Sequence, residues 1–243
     1  MKIIGIIPAR YASTRFYGKP LADIFGKPMV WWVYQQAKKV KEFDEVYVAT
    51  DSDLIKNVCD EHSLNVIMTR DNHETVTSRI QEVSDKIEAD VYAVVNGDEP
   101  LIDPKIISAV IPTDLKGFYA SNLMTAIKDP VEVVDITNIK VVFGHDMNAL
   151  FMTRSPVPYP KATHEIKYYK HLGVVAYCKE ALDFFVSTNK GYNENVEDID
   201  YLRFIEHKKP FKMIEVDTQS ISVDTKKDLE HVRKIMEVKD FDA

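Results

Sequence analysis

The first hundred or so residues alternate short apolar runs with segments of helical periodicity, and this alternation limits the folds open to the chain. The runs are rich in β-branched residues and each ends in polar residues, as in "KIIGII", "DEVYVATD", "LNVIMTR" and "ADVYAVVNGDE". Helices are predicted between them, over 28–40, 53–62, 77–88 and 104–111. Such alternation requires right-handed crossovers and a mostly parallel sheet, with ligands bound beyond the carboxyl ends of the strands. We therefore predict an α/β fold in which helices flank that sheet.

From about residue 118 the pattern becomes strand-rich, in runs such as "GFYASNLMTAI", "TNIKVVF", "NALFMTR" and "KHLGVVAYC". The later elements predicted are helices near 179–187 and 196–207, a strand "FKMIEV" and a charged helix at 225–237. The chain has 243 residues, of which 45% are hydrophobic, and this size suits one large domain. No linker rich in Gly, Pro or Ser separates the halves. We predict a single domain over 1–243, with a strand-rich region at about 118–178 inserted within it.

Charge and cysteine content limit the partners and the compartment. The formal net charge is −7, so general binding to nucleic acid is not expected, because affinity for phosphate backbones rests on accumulated Lys and Arg. No apolar stretch approaches the roughly 20 residues of a membrane span. Cys59 and Cys178 lack CxxC spacing, and we see no charged-then-apolar leader. We therefore expect a cytoplasmic protein with neither a nucleic-acid partner nor a membrane partner.

Three cations lie in the loop that follows the first strand, in the segment "PARYASTRFYGKP". They are Arg10, Arg15 and Lys19, at a sheet edge where ligands of α/β proteins bind. The segment contains neither GxGxxG nor GxxxxGKS/T, so neither glycine-rich phosphate motif is available. Two guanidiniums and one ammonium can instead neutralise a polyphosphate through charge-assisted contacts. Ordinary solvated cations are the alternative, and the clustering of three after one strand favours an anion site.

A second polar segment, "VVNGDEP", closes the fourth strand. Asp98 is expected at the same edge of the sheet as the cationic loop, with Gly97 allowing a tight turn beside it. A carboxylate there suits a hard cation such as Mg²⁺, which also takes substrate phosphates as ligands. Asp224, in "SISVDTKKDLEHV", is the candidate for a second carboxylate, because it ends a strand-like run before the last helix. The alternative for Asp224 is a helix N-cap.

Several segments match one known family in order and spacing. They are "IIPARYASTRFYGKPLADIFGKPM", "VYVATDSDLI", "VIMTRDNHETVTSRIQEV", "VVNGDEPLI", "RSPVPYP", "YYKHLGVVAY" and "SVDTKKDLEHV". Over nearly its whole length the chain resembles the CMP-Kdo synthetases, the cytidylyltransferases for 3-deoxy-manno-octulosonate (Kdo). The resemblance implies a Rossmann-like nucleotidyltransferase fold and a homodimer formed through the strand-rich region. It also implies transfer of CMP from CTP to a 3-deoxy-2-keto sugar acid, with release of pyrophosphate.

The resemblance assigns roles to the positions that match the family's motifs. The catalytic set that it implies is Arg10, Arg15, Lys19 and Asp98, and the Mg²⁺ ligands are Asp98 and Asp224. The CTP-binding residues that it implies are Pro8, Ala9, Arg10, Arg15, Lys19, Thr77, Arg79 and Asp98. The acceptor-binding residues that it implies are Asn96, His171, Tyr177, Asp200 and Tyr201. No side-chain base is needed, because a bound Mg²⁺ would acidify the attacking hydroxyl.

Several positions depart from the family's usual pattern, while the triphosphate and metal positions are retained. The departures are Val76 for glycine, Ser78 for an acid, Asn96 for glutamine, Asp200 for glutamate, Tyr201 for glutamine and Ser222 for glycine. We interpret most of them as changes on the acceptor side, and we expect ordinary Kdo to be a poor substrate. Lineage drift at tolerant positions is the alternative explanation.

Three functions remain open on the sequence. The first is CMP transfer to Kdo or a close relative, and the second keeps CTP but uses a different acidic acceptor, such as a phosphonate or another small acid. The third is a nucleotide-binding protein without turnover. The intact Asp98, Arg15 and Lys19 argue against the third.

Overall fold

Strands and helices follow one another in the order that the apolar runs predict. The computed structural model describes residues 1–12, 16–162, 166–218 and 221–239. The strands are β1 (Ile3–Ala9), β2 (Asp23–Ile24), β3 (Lys27–Pro28), β4 (Glu45–Thr50), β5 (Val66–Met68), β6 (Val91–Val95), β7 (Ala120–Ala126), β8 (Lys140–Phe143), β9 (Ala149–Thr153), β10 (Tyr169–Tyr177) and β11 (Lys212–Glu215). The helices are α1 (Met29–Lys38), α2 (Asp53–Glu61), α3 (Val76–Lys86), α4 (Pro104–Ser108), α5 (Pro130–Val134), α6 (Lys179–Ser187), α7 (Tyr192–Glu197), α8 (Leu202–Glu206) and α9 (Lys226–Lys239).

One mixed sheet runs through the molecule in the order β11-β7-β10-β6-β1-β4-β5. β1 pairs in parallel with β4 and β6, and β4 pairs in parallel with β5. β10 is antiparallel to β6 and β7, and β8 and β9 continue the sheet outward from β10. The carboxyl ends of β1, β4 and β6 therefore lie at one edge, as the alternating pattern predicts. The strand-rich region supplies β7 to β10, of which β7 and β10 lie inside the main sheet.

The apolar runs are buried on both faces of this sheet, with alternate residues facing opposite sides. In β1, Ile4 and Ile6 belong to one core cluster, whereas Ile3 and Ile7 belong to another. β6 divides in the same way. Strands covered on both faces read as continuous hydrophobic runs. This burial explains why "KIIGII" lacks polar alternation, and it agrees with the position of β1 between β6 and β4.

β10 carries an irregularity close to the carboxyl edge, where its register against β7 shifts. Asn122, fully buried on β7, donates through Nδ2 to the carbonyls of Leu172 (2.7 Å) and Val174 (2.8 Å). The side-chain amide thereby satisfies two main-chain acceptors within the irregular stretch. The carbonyl of Gly173 accepts instead from the main-chain N–H of Asn96 (2.9 Å). The irregularity thus joins β10 to the loop after β6.

The C-terminal segment returns to the carboxyl edge through α9. Leu229 and Val232 of this helix pack with Trp32 of α1 in a third core cluster. Val223, fully buried in the same cluster, donates its main-chain N–H to the carbonyl of Asp98 (2.8 Å). This hydrogen bond brings the residue after Val223 next to the loop that follows β6.

Two expectations about secondary structure are wrong in detail. The helix predicted over 196–207 is two short helices, α7 and α8, because Asp198 adopts a left-handed conformation with φ of 53° that ends α7. The strand-like run before Asp224 is irregular over 221–224. Its Val223 N–H bonds to a loop carbonyl instead of a neighbouring strand.

The sequence pattern also misses α5 and the hairpin of β2 and β3. α5 has 5 residues and each hairpin strand has 2, so none is long enough to show a periodicity. Within the ranges given above, no helix combines the length and the apolar character needed to cross a membrane.

Candidate active site

The loops after β1 and β6 meet at the carboxyl edge of the sheet. These strands end immediately before Arg10 and Asn96. A Cβ on Gly97 would lie 3.0 Å from the carbonyl oxygen of Pro8. Glycine therefore lets the loop after β6 approach the end of β1 more closely than a side chain would allow. Two cavities open from this junction.

The first cavity has a volume of about 460 Å³ and lies between the cationic loop and the start of α3. It is lined by Pro8, Ala9, Arg10, Lys19, Arg79 and Asp98, together with Val76 and Asn96. Most of the residues that the family resemblance implies for CTP are therefore brought together here. Arg15 lies outside the described residues, and its role in CTP binding and catalysis stays a prediction.

Protein oxygen atoms anchor the guanidiniums at the first cavity. Arg10 donates through Nη2 to the carbonyl of His73. Arg79 is only 1% exposed, and its Nη2 lies 2.6 Å from Oδ2 of Asp51 while Nη1 donates to Thr69. Burial, followed by the charge of Arg79, lowers the pKa of Arg10. Because guanidiniums stay protonated in proteins, both are fixed positive charges beside the cavity.

A polar cluster holds His73 in turn. Its Nε2 lies 2.5 Å from Oε2 of Glu82, and its Nδ1 lies 3.1 Å from Oγ of Ser78. Burial alone would raise the pKa of Glu82, but hydrogen bonds from Lys86 and His73 outweigh it and hold that pKa below its usual range. Ser78 therefore belongs to the structure that supports Arg10.

Lys19 brings together the two carboxylates that the sequence analysis proposes as metal ligands. Its Nζ lies 2.8 Å from Oδ2 of Asp98 and 3.4 Å from Oδ1 of Asp224. The hydrogen bond from the Val223 N–H to the Asp98 carbonyl fixes the segment that carries Asp224. Both carboxylates thus converge on one cationic group, and oxygen donors of this kind suit a hard cation.

The capping contacts of α9 are made by Thr225 and Asp228. The N–H of Asp228 donates to Oγ1 of Thr225 (3.3 Å), and the N–H of Thr225 donates to Oδ2 of Asp228 (2.8 Å). This reciprocal pair is a capping box. The cap considered for Asp224 is therefore supplied by its neighbours, and the Asp224 carboxylate contacts Lys19.

The second cavity has a volume of about 240 Å³ and lies on the other side of Asn96 and Asp98, which line both cavities. The loop 137–139, the irregular part of β10 and the segment before α9 complete its wall. Its polar lining residues also include Glu99, Thr137, Asn138, Lys170, His171, Ser222 and Asp224. Of the predicted acceptor residues, Asn96 and His171 lie here.

His171 is a neutral side chain of the second cavity at neutral pH. Burial, followed by the charge of Arg154, lowers the pKa of His171 to about 4. Its Nδ1 is buried and has no hydrogen-bond partner among the described residues. Because a buried polar atom without a partner is costly, this nitrogen is suited to meet a polar group of a ligand.

Four other predicted site residues are held inside the protein behind the cavities. Thr77 donates through Oγ1 to Oδ2 of Asp200 (2.8 Å) and lies 3.2 Å from the hydroxyl of Tyr177. Tyr201 stacks on Phe211, with ring centroids 5.2 Å apart. Burial raises the pKa of both Tyr177 and Asp200. None of the four is among the described lining residues of either cavity, and their ligand-binding roles stay predictions.

The departures from the family pattern do not gather on one side of the site. Val76 is 40% exposed and lines the first cavity, and Asn96 lines both. Ser222 lines the second cavity. Ser78 contacts His73 behind the first cavity. Val76 and Ser78 therefore lie at or behind the first cavity, and the expectation that most departures fall on the acceptor side stays a prediction.

Sequence reasoning misses several residues of the second cavity. Thr137, Asn138 and Lys170 come from the strand-rich region, and the order of its strands in the sheet cannot be read from apolar runs alone. A signal for Lys170 does exist, since it directly precedes His171 in "YYKHLG".

Comparison with known proteins finds similarity to cytidylyltransferases over nearly the whole chain. A family model described as cytidylyltransferase matches residues 4–235. The 3-deoxy-manno-octulosonate cytidylyltransferase of Escherichia coli is 36% identical over 237 residues, covering 97% of this chain and 96% of that protein. The 8-amino-3,8-dideoxy-manno-octulosonate cytidylyltransferase of Shewanella frigidimarina is 37% identical over 235 residues, covering 94% and 96%.

A solved structure has the same fold as this chain. CMP:2-keto-3-deoxy-manno-octonic acid synthetase complexed with CTP superposes with a TM-score of 0.93 and 36% identity, over 98% of this chain and 100% of that one. The fold and the paired cavities therefore define a Rossmann-like nucleotidyltransferase. The chain belongs to the cytidylyltransferase family, and the resemblance and fold class predicted from the sequence are confirmed.

Proposed function

We propose that the protein transfers CMP from CTP to Kdo or a close relative of that sugar acid, releasing pyrophosphate. The observation that carries this proposal is the wall that the two cavities share, formed by Asn96 and Asp98. The first cavity suits a triphosphate because Arg10, Lys19 and Arg79 surround it with positive charge. The smaller second cavity suits the acceptor, which would meet the nucleotide at Asp98.

The reaction joins an acceptor oxygen to the α-phosphorus of CTP. The anomeric hydroxyl attacks that phosphorus in line, the bond to the bridging oxygen of pyrophosphate breaks, and the hydroxyl proton passes to solvent. Arg10 and Lys19 are placed to neutralise the departing pyrophosphate, since both line the first cavity. Catalysis then consists of positioning and electrostatic stabilisation.

We propose Mg²⁺ as the cofactor, held by Asp98 and Asp224. The donor set supports this choice, because the two carboxylates converge on the Lys19 ammonium. Mg²⁺ is usually bound by one or two carboxylates together with substrate phosphates. When bound, it supplies charge neutralisation and a lower pKa for the attacking hydroxyl.

Two acceptors merit direct comparison, Kdo and its 8-amino analogue. Relatives of nearly equal similarity, at 36% and 37% identity, carry these two names. A phosphonate or other small acid is not favoured, because these relatives cover nearly the whole chain and both are named for octulosonates.

Pyrophosphate release with CTP and Mg²⁺ tests the proposal across a panel of Kdo, the 8-amino analogue, N-acetylneuraminate and a small phosphonate. We expect release with one or both octulosonates and none with the other acids or without an acceptor. CTP binding without release on either octulosonate would refute the proposed reaction.

We also propose a homodimer formed through the strand-rich region and a cytoplasmic location. The dimer is supported by three exposed apolar side chains of that region, Val131, Val134 and Ile136, which are 70%, 67% and 68% exposed. The location is supported by Cys59 and Cys178, which are free and buried. Sedimentation equilibrium of the wild type and of Val134→Glu tests the dimer, since a buried charge should shift the variant to monomer.

A further inference from the structure

We propose that the ammonium group of Lys170 binds the carboxylate of the acceptor, in exchange for its present partner Glu132. This inference rests on the proposed function, because it takes the acceptor to be an acid that occupies the second cavity. It assigns a role to a residue to which the family resemblance gives none.

The charges of the second cavity leave one candidate for this contact. Asp98, Glu99 and Asp224 contribute carboxylates to the wall. The proposed Mg²⁺ would neutralise Asp98 and Asp224, whereas Glu99 would repel an acidic ligand. Lys170 is the one lysine or arginine among the described lining residues. His171 is uncharged at neutral pH, because burial lowers its pKa to about 4.

The nearby cations outside this wall are engaged elsewhere. Arg154 donates to the main-chain carbonyls of Ile136 (3.0 Å), Glu197 (2.8 Å) and Asp198 (3.2 Å). Lys19 contacts the carboxylates of the proposed metal site. Apart from the proposed Mg²⁺, Lys170 is therefore the cationic partner that the described lining residues offer to an acceptor carboxylate in the second cavity.

Lys170 already forms an ion pair with a carboxylate of the protein. Its Nζ lies 2.7 Å from Oε2 of Glu132 on α5, and the two side chains are 20% and 38% exposed. Lys170 also lines a neighbouring cavity of about 330 Å³ that contains Glu132. The Lys170 ammonium thus lies between the Glu132 carboxylate and the second cavity. By turning toward a bound acceptor, it exchanges the Glu132 carboxylate for the carboxylate of the acceptor.

This exchange predicts opposite effects for the two members of the ion pair. Lys170→Met removes the cation and should raise the acceptor KM by about tenfold or more, the value of one charge-assisted contact. Glu132→Gln removes a competing carboxylate and should lower the acceptor KM or leave it unchanged. A pair that only stabilises the fold would respond in the same way to either substitution.

The experiment measures KM for CTP and for the acceptor, kcat and thermal stability in both variants. Lys128→Met is the matched control, because Lys128 forms an exposed ion pair with Asp217 (2.8 Å) and lines only the neighbouring cavity. We expect the CTP KM to stay unchanged in all three variants. An acceptor KM that is unchanged in Lys170→Met, or raised equally in Glu132→Gln, would overturn the assignment.

Two inhibitors that differ only in charge test the assignment, because a purely structural role of Lys170 would not change the preference between them. Inhibition by a non-reactive acceptor analogue is compared with inhibition by its carboxamide, which lacks the charge. Wild type should prefer the carboxylate by about tenfold, and Lys170→Met should lose this preference; equal weakening of both analogues would contradict the assignment. Wild type that binds CTP but uses no octulosonate would instead refute the proposed function itself.

Discussion

The two cavities of the site differ in how their charges are held and in where their residues come from. The cations of the first cavity lie in a short loop and on one helix, and protein oxygen atoms already hold them. The second cavity takes its wall from residues near positions 96, 138, 171 and 223, and Lys170, the one lysine among its described lining residues, lies among several carboxylates. In the first cavity the cations are already in position for an anion. In the second cavity the charges are balanced only when a ligand binds.

This difference separates what holds the nucleotide from what selects the acceptor. Changes confined to the first cavity should affect CTP, and changes confined to the second should affect the acid. Asp98 belongs to both cavities, so its loss should affect both substrates at once.

The largest effect is expected at that shared wall. Asp98→Asn removes a carboxylate from both cavities and should lower kcat by about 10²–10³ or more, the size seen when a group that stabilises the transition state is lost. Asp103→Asn is the matched control, because Asp103 caps α4 and asparagine caps equally well. Steady-state pyrophosphate release measures both, and near wild-type turnover of Asp98→Asn would remove Asp98 from the reaction.

The second effect concerns the neutral histidine of the acceptor side. The folded-state pKa of His171 is about 4, below its ordinary value of 6.5, so the unfolded chain takes up a proton that the folded chain does not. The contribution of neutral His171 to the free energy of unfolding is fully present above pH 6.5. It should fall by about 3 kcal/mol at most as the pH drops to about 4. Urea unfolding across this range should show a smaller loss in His171→Gln than in wild type or in the exposed control His145→Gln. The same loss in all three would place the pH dependence elsewhere.

A smaller effect is expected from the cationic loop. Lys19→Ala should weaken CTP binding by about tenfold, because it removes one charge-assisted contact. The loss should grow as Mg²⁺ is lowered, since Asp98 and Asp224 then lack a compensating cation. Arg15→Ala is expected to weaken binding by a similar factor. Calorimetry with Lys38→Ala, an exposed position on α1, as control measures these changes, and affinities equal to wild type would exclude the loop from the site.

The smallest effect separates the two cavities most directly. Val76→Ala trims an exposed side chain of the first cavity and should change the CTP KM by less than about fivefold, with the acceptor KM unaltered. Ser222→Gly, in the second cavity, should change the acceptor KM instead. The reverse result, an acceptor effect from Val76→Ala alone, would restore the interpretation of Val76 as an acceptor determinant.

The sequence predicts the parallel part of the fold well, because each of its strands can be recognised from a short stretch of residues. The runs that become β1, β4 and β6 are apolar on both faces, and the polar residues after them mark the carboxyl edge. The sequence predicts Asp224 as a carboxylate close to Asp98, but the contact that brings its segment there is a hydrogen bond from Val223 to a loop carbonyl, which no periodicity encodes. The sequence does not indicate a role for Lys170, because the position of this residue depends on which strands β10 pairs with. The break of the helix over 196–207 depends on one left-handed residue, Asp198.

Asn122 lies away from the reacting groups, yet it supports the backbone that carries part of the site. Its amide replaces two hydrogen bonds that the irregular part of β10 would otherwise lack, and that stretch carries the wall of the second cavity. A genetic screen for inactive alleles would therefore recover position 122 alongside the residues that touch substrate. An engineer who wished to alter acceptor choice would do well to hold this amide constant, since it secures two main-chain carbonyls of the stretch along which any change would be made.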